Sequence, residues 1–241
     1  MAILIFFLAH WYLSAFCQTF FLHRYSAHQM FKMNKFWEKF FYILTFITQG
    51  SSYLNPRAYA LMHRMHHAYS DQSEDPHSPA HYKTVMGMMK NTLFMYLDIK
   101  ANRIKPDEKF EGGYPRWNGF DEFADHRAVR VTWALSYVGY YIIFATAWWM
   151  YLLLPLHFLM GPLHGAIVNW CGHKYGYQNF DNKDQSCNTL PVDLITMGEL
   201  MQNNHHRSNR KLNFAMKWFE IDPAYPMIQL LRILRIVRAS S

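Results

Sequence analysis

Three histidines crowd into five residues of the sequence, His63-Arg64-Met65-His66-His67. On a helix, the spacings i, i+3 and i+4 place all three side chains on one face, one turn apart. Neutral imidazole is a common metal ligand, and an apolar core would leave several of these ring nitrogens unpaired, which costs free energy. The stretch therefore predicts a metal site carried by a helix.

Further histidines recur in short polar stretches elsewhere in the chain. The stretches are His23-Arg24-Tyr25-Ser26-Ala27-His28, Asn169-Trp170-Cys171-Gly172-His173 and Gln202-Asn203-Asn204-His205-His206. Together with the first stretch they hold eight of the 14 histidines. Eight imidazoles exceed what one ion binds, so the pattern predicts two metal ions.

The kind of metal follows from what surrounds the histidines. Imidazole suits iron, copper and zinc. The acidic residues lie outside the histidine stretches, and the sequence lacks the two helix-borne Glu-x-x-His pairs of soluble di-iron carboxylate proteins. The sequence also lacks HExxH, which marks many zinc hydrolases. An all-histidine pair of irons that activates dioxygen fits this pattern better.

Long apolar segments indicate how these residues are positioned. Residues 1–22 carry no charged side chain and can cross a bilayer. They lack the basic start of a signal peptide, and the Lys and Arg residues that follow place their C-terminal end in the cytoplasm. Val131 to Trp170 contains no charged residue, which predicts two spans, 131–149 and 152–171, with a kink at Gly161-Pro162. We expect the histidines inside these segments, His10, His157 and His164, to pack between helices, and a functional position is the alternative for each.

A fourth apolar segment, 36–54, cannot cross the membrane without separating the first two histidine stretches. It therefore predicts an interfacial or re-entrant helix, bent near Gln49-Gly50-Ser51-Ser52 and ended by Pro56, after which a new helix carries His63. His23 and His28 lie about 140° apart on an ideal helix. They either serve different metals or the helix ends between them.

These segments predict an all-α fold: one integral membrane domain, 1–241, of about three to four spans with a cytosolic helical cap over 55–128 and 172–241. Within the cap we expect a helix over 82–100, a charged loop over 101–126 and a basic amphipathic helix from Pro226 to Arg238. All the histidine stretches then meet on the cytoplasmic side, in the inner membrane if the protein is bacterial.

Composition agrees with a partly immersed protein. Apolar residues make up 51% and aromatic residues 18%, with a net charge of +7. The basic excess fits anionic headgroups or an acidic carrier such as coenzyme A. No nucleic-acid recognition motif is present. Three cysteines without CxxC spacing give no disulfide framework.

The order and spacing of HRYSAH, HRMHH and QNNHH resemble the three histidine boxes of integral-membrane fatty acyl desaturases. NxxxH between the second and third boxes, Asp75-Pro76-His77 and Trp218-Phe219-Glu220-Ile221-Asp222-Pro223 are similar to the stearoyl-CoA and bacterial acyl-CoA desaturase type. The resemblance runs from about residue 15 to residue 230.

The resemblance implies a reaction in which two ferrous ions and O2 introduce a cis double bond into a saturated acyl chain, with acyl-CoA favoured and a Δ9-type position. The metal ligands that it implies are His23, His28, His63, His66, His67, His173, His205 and His206. Asn169 would approach a metal through water, and Gln202 would be a weak contact. Electrons would come from a separate ferredoxin or cytochrome b5-type donor, since no HPGG motif occurs.

Several points stay open at this stage. Asp71 and Asp75 either orient ligand imidazoles through the other ring nitrogen or make ordinary turns. Gln202 stands where the third box usually begins with histidine, and Met62 replaces an acidic residue often found before the second box. A lipid hydroxylase or ketolase would use the same scaffold. A membrane metal transporter is disfavoured, because its ligands would lie within the apolar runs.

Overall fold

The protein is built of helices, as seen in a computed structural model that describes residues 1–240. The helices are α1 (Ala2–Cys17), α2 (Lys35–Gln49), α3 (Pro56–Tyr69), α4 (Val85–Lys100), α5 (Asn118–Asp125), α6 (Arg127–Phe144), α7 (Leu154–Phe158), α8 (Met160–Gly172), α9 (Gln202–Arg207) and α10 (Ala224–Ile233). Two short strands, β1 (Phe31–Lys32) and β2 (Arg238–Ala239), pair antiparallel. The predicted all-helical class is confirmed.

Helix α1 continues without a break into a π-helical segment, Gln18–Ala27. Judged by length and apolar composition alone, the combined helix Ala2–Ala27 could cross a bilayer. Trp148–Phe158 and Met160–Gly172 qualify together as a second such segment, bent by 78° where they meet. Within residues 1–240 the structure thus offers one or two candidate spans, and the larger number expected from the sequence stays a prediction.

The apolar region from Val131 to Trp170 differs in detail from the two helices predicted there, 131–149 and 152–171. Helix α6 begins at Arg127 and ends at Phe144, and a 3₁₀-helical segment, Trp148–Leu153, leads into α7. The bend lies at Leu159 rather than at Gly161-Pro162. Pro162 falls in the first turn of α8, where proline is tolerated because the backbone N–H has no intrahelical partner.

The bend predicted near Gln49-Gly50-Ser51-Ser52 in the apolar segment 36–54 is present. Helix α2 ends at Gln49 and is followed by a 3₁₀ turn, Gly50–Ser52. Gly50 has a φ of 50°, and a Cβ there would overlap the hydroxyl of Tyr137 on α6. Pro56 is the first residue of α3, so it begins the new helix instead of ending the old one.

In the cap region the helix predicted over 82–100 is present as α4. The charged stretch 101–126 is not entirely loop, because it contains α5. The tail helix also stops earlier than predicted. It ends at Ile233, and Arg238 belongs to β2, so the tail arginines Arg232, Arg235 and Arg238 do not share one helical face.

In the main apolar core, residues of the π-helical segment pack against residues from other parts of the fold. It is largely aromatic, and its fully buried members include Phe20, Phe21, Phe31, Tyr42 and Phe214. Inside the apolar helices, Nδ1 of His10 lies 2.6 Å from Nδ1 of His157, whose Nε2 lies 2.9 Å from the hydroxyl of Tyr141. His10 and His157 thus pack between helices, as predicted, whereas His164 lines the apolar cavity described below.

Candidate metal centre

Five histidines from three of the four stretches converge on one point. Their ligand nitrogens all lie within 4.8 Å of one another, and the members are His23, His28, His63, His67 and His205. Neighbouring Nε2 atoms are 2.7 to 3.0 Å apart in this group. Two ligands at right angles on one ion, each about 2.0–2.1 Å from it, would be about 2.9 Å apart. The five-histidine group therefore has the spacing of a metal site.

The π-helical segment explains how His23 and His28 reach the same group. A π turn closes an i→i+5 hydrogen bond, and the N–H of His28 donates to the carbonyl oxygen of His23 at 3.1 Å. Residues five apart are therefore neighbours here, although they diverge on an ideal α-helix. The helix ends at Ala27, between the two histidines, which was one of the two alternatives. The other, separate metals, does not fit their placement.

A second group joins the remaining three histidines, His66, His173 and His206. Their ring centroids are 4.8 to 5.0 Å apart. The two groups adjoin, because the rings of His67 and His206 are only 4.4 Å apart. All eight histidines singled out in the sequence are therefore brought together, five in one group and three in the other.

Each histidine of the three-histidine group donates its Nδ1–H to an aspartate. The pairs are His66 with Asp75 at 2.8 Å, His173 with Asp71 at 3.2 Å and His206 with Asp184 at 2.7 Å. Such a bond fixes the tautomer and leaves the Nε2 lone pair free for a metal. Asp71 and Asp75 thus contact ligand candidates, although Asp71 also accepts the N–H of Gln185.

The five-histidine group has one carboxylate partner, Glu199, whose Oε2 lies 2.5 Å from Nδ1 of His23. Arg24 is fully buried and bridges Glu199 to Asp222, with nitrogen–oxygen distances of 3.1 and 2.7 Å. The Trp218–Pro223 stretch therefore supports the site through Asp222. Acidic residues that lie apart from the histidine stretches in sequence contact the histidines in space, but they do so at Nδ1, and the five-histidine and three-histidine groups contain no carboxylate.

Burial sets the protonation of the histidines. Desolvation, followed by repulsion among neighbouring imidazoles, holds the pKa well below 6.5 for His28, His63, His66, His67 and His205. These rings are neutral at neutral pH, as metal binding requires.

The carboxylates respond differently to the same burial. Desolvation alone would raise the pKa of Asp71, Asp184 and Glu199, but hydrogen bonds from their histidines hold it below the usual value. For Asp75 desolvation prevails and raises the pKa.

The unpaired nitrogen atoms of the histidines show whether a metal ion fits the site. The Nε2 atoms of His66, His173 and His206 are buried and no protein group within residues 1–240 bonds them. Unpaired buried nitrogens are costly, and a cation would satisfy all three at once. Both histidine groups could hold a metal ion.

Asn169 and Gln202 do not belong to either histidine group. Both line an apolar cavity, together with His63 and residues of α1, α4 and α8. The amide of Gln202 donates to the carbonyl oxygen of Glu199 at 2.6 Å. In this arrangement Gln202 shapes the cavity wall, and its role as a ligand stays a prediction.

Three further residues at the site were not identified from sequence: Asp184, Glu199 and His77. His77 lines the cavity, and its ring lies 4.5 Å from that of His66. Burial lowers the pKa of His77 to about 3. The Asp75-Pro76-His77 motif was the available signal for His77, whereas nothing in the local sequence distinguishes Asp184 or Glu199.

Comparison with known proteins agrees with this geometry. The chain is 28% identical over 226 residues to the Delta-9 desaturase-like 5 protein of Arabidopsis thaliana, covering 90% of this chain and 69% of that protein. It is 28% identical to the sn-1 stearoyl-lipid 9-desaturase of a Synechocystis strain, covering 90% and 64%. It is also 28% identical to Acyl-CoA 5-desaturase AL21 of Anemone leveillei, covering 88% and 63%.

The chain therefore spans about two thirds of the length of these relatives. The family model for fatty acid desaturases matches residues 1–231, nearly the whole chain. Together with two adjoining histidine groups beside an apolar cavity, this match shows that the chain belongs to the fatty acid desaturase family.

Proposed function

We propose that the protein is an O2-dependent desaturase that introduces a cis double bond into a saturated fatty acyl chain, with two Fe2+ ions held by the eight histidines. The observation that carries the proposal is that the five-histidine and three-histidine groups adjoin each other and that His63 also lines an apolar cavity. His63 belongs to both the metal-binding set and the cavity wall, so a chain in the cavity would lie beside the metals.

Two ferrous ions with dioxygen supply an oxidant for an unactivated methylene, which acid–base side chains alone cannot attack. The protein's own residues bind the ions, orient the ligands and position the acyl chain. Histidines hold the ions, and Asp71, Asp75, Asp184 and Glu199 fix the ring orientations. The cavity walls, with side chains such as Leu54, Met62 and Val168, hold the acyl chain and exclude water.

The names of two relatives, a stearoyl-lipid 9-desaturase and a Delta-9 desaturase-like protein, support a Δ9-type position. A separate ferredoxin or cytochrome b5-type protein would supply the electrons. The protein would act as an integral membrane enzyme with its metal centre on the cytoplasmic side, which the apolar helix Ala2–Ala27 and the following basic residues support.

The test is the fatty-acid profile of a host that expresses the chain, beside one that expresses His66→Ala, with double bonds located by mass spectrometry. We expect a new unsaturated acid that is absent from the variant. Iron analysis of both purified proteins should show about two ions per wild-type chain and fewer in the variant. A new hydroxy or keto acid would instead identify a hydroxylase or ketolase, and an unchanged profile with iron-loaded protein would contradict the proposal.

A further inference from the structure

His164 on α8 lines the apolar cavity, and its imidazole has no hydrogen-bond partner there. The residue is only 2% exposed, and neither Nδ1 nor Nε2 is bonded by any protein group within residues 1–240. It belongs to neither the five-histidine nor the three-histidine group. A buried polar atom without a partner costs free energy, so such atoms are normally paired with protein, water or ligand. The unpaired imidazole therefore marks a position at which the cavity can bind a polar group.

Trp11 of α1 holds this imidazole in place. The two rings meet edge to face, with centroids 4.5 Å apart and planes at 89°. Trp11 is itself fixed, because its Nε1–H donates to the carbonyl oxygen of Ile195 at 2.8 Å. The face of an indole ring can accept at most the one N–H of a neutral imidazole. The imidazole nitrogen that carries the lone pair therefore still lacks a hydrogen-bond donor.

A second polar side chain, that of Gln18, lines the same cavity. Its Nε2 is the atom nearest to a Cβ placed on Gly165, the residue after His164, at a distance of 3.9 Å. The Oε1 of Gln18 already accepts from Nε2 of Gln49 at 3.5 Å, so the amide N–H groups are the part of Gln18 that faces α8. A hydroxyl group can accept from an amide and donate to an imidazole, whereas a carbonyl group can only accept. The two side chains together therefore suit a hydroxyl group.

The position of His164 indicates which part of a substrate reaches it. His164 precedes His173 of the three-histidine group by nine residues, which corresponds to about 13 Å along a helix axis. The cavity wall next to His164 on α8 is apolar or lacks a side chain, at Gly161, Pro162 and Gly165. Coenzyme A, a carrier protein or a lipid headgroup is too large and too polar to accompany a group to this buried position. The hydroxyl group must therefore belong to the acyl chain itself, away from the carbons that face the metals.

We infer that His164 is a specificity-determining residue that binds a hydroxyl group of the acyl chain, with Gln18 as the second partner, and that the substrates of the cavity include hydroxylated acyl chains. This inference rests on the proposed function and names a substrate class for the same cavity. A chain without the hydroxyl group leaves the imidazole unpaired and binds less tightly.

Binding of free fatty acids tests the inference without catalysis. The full iron-loaded chain in nanodiscs is titrated with stearate and with hydroxystearates that carry the hydroxyl group at successive carbons, and empty nanodiscs give the background. We expect one member of the series to bind about tenfold more tightly than stearate, and this preference to vanish in His164→Leu. His164→Gln, which keeps a polar side chain, should retain part of the preference. A keto group at the same carbon should bind less tightly than the hydroxyl group.

Thermal unfolding without added fatty acid separates this role from packing. His164→Leu removes nitrogens that bond no protein group within the described chain, so its unfolding midpoint should equal or exceed that of the wild type. His157→Leu is the matched control, and its midpoint should fall, because the nitrogens of His157 lie 2.6 Å from Nδ1 of His10 and 2.9 Å from the hydroxyl of Tyr141. An equal fall in both variants would overturn the inference and assign His164 to packing.

Equal binding of stearate and every hydroxystearate by the wild type would also overturn the inference, and would leave water as the partner of His164. A wild-type chain that binds no fatty acid at all would give a different result. It would overturn the proposed function, on which the inference rests.

Discussion

Carboxylates contact the Nδ1 atoms of several histidines in the centre. The five-histidine and three-histidine groups differ in the number of these carboxylates. Within residues 1–240, three aspartates bond to the three-histidine group, whereas one carboxylate, Glu199, contacts the five-histidine group. A carboxylate that accepts from Nδ1 makes the opposite nitrogen a better ligand. Carboxylates thus compensate for the smaller number of imidazoles in the three-histidine group.

Asp184→Asn should weaken metal binding at the three-histidine group by about 10- to 100-fold, because an amide can donate to His206 and stabilise the wrong tautomer. Iron content and the affinity for Co2+ would measure the loss. Asp181→Asn is the matched control, since Asp181 is exposed and bonds only the nearby N–H of Lys183 within the described chain. Equal metal affinity in the two variants would show that the Asp184–His206 bond does not support the site.

The sequence predicted which histidines come together, but it did not predict most of the carboxylates that contact them. Three imidazoles at helical spacing, as in His63, His66 and His67, are a local pattern. The bond between His23 and Glu199 joins distant parts of the chain and leaves no local pattern. A lone acidic residue such as Asp184 looks the same whether it faces solvent or an imidazole.

Two elements place the histidines by departing from regular geometry. The π-helical segment Gln18–Ala27 turns His23 and His28 toward one point. The turn at Gly50–Ser52 reverses the direction between α2 and α3, so that α3 packs against the π-helical segment and presents His63 to it. Regular helices in either place would separate the histidine stretches.

Gly50→Ala should destabilise the protein by about 2–5 kcal/mol, because the backbone is strained for a side chain and the methyl group would displace Tyr137. The thermal unfolding midpoint in detergent would measure the effect. Gly119→Ala in α5 provides the control, since a Cβ there meets nothing within 4 Å and alanine favours helices. If both variants unfold at the wild-type temperature, the turn does not require glycine.

The helices that the sequence predicted are those with a long apolar or periodic stretch, such as α1 and α4. Helix α5 was missed because its eight residues sit in a charged stretch with glycine and proline nearby. The tail was predicted too long because apolar spacing continues after Leu234, whereas the backbone turns at Arg235, with a φ of 60°. The π-helical segment has no simple sequence signal, since its hydrogen-bond register depends on what the histidines face.

Across the whole molecule, three separate regions of the chain close around one cavity: the end of α1, the α3–α4 region and the stretch from α8 to α9. Gly165 on α8 lies in the middle of this wall, and a Cβ there would come no closer than 3.9 Å to its first neighbour, Nε2 of Gln18. The cavity therefore has room at this position that a larger side chain would fill.

Gly165→Leu should shorten the acyl chains that the enzyme accepts, because the added side chain occupies volume that the substrate needs. The ratio of shorter to longer unsaturated products, determined by gas chromatography, should rise several-fold at unchanged iron content. Gly139→Leu on α6 is the control, since a Cβ there meets nothing within 4 Å and the residue lies outside the cavity wall. An unchanged product ratio would mean that the chain does not pass Gly165.

The set of carboxylates around the histidines also determines the electrical balance of the centre. Asp71, Asp75, Asp184 and Glu199 can supply four negative charges, and a cation beside His66 would oppose the raised pKa of Asp75. The two divalent cations proposed for the site would bring four positive charges, so the filled centre would be electroneutral, which is the condition under which charge is tolerated in a buried site. Replacing one of these carboxylates by an uncharged side chain would therefore leave a filled centre with an uncompensated buried positive charge.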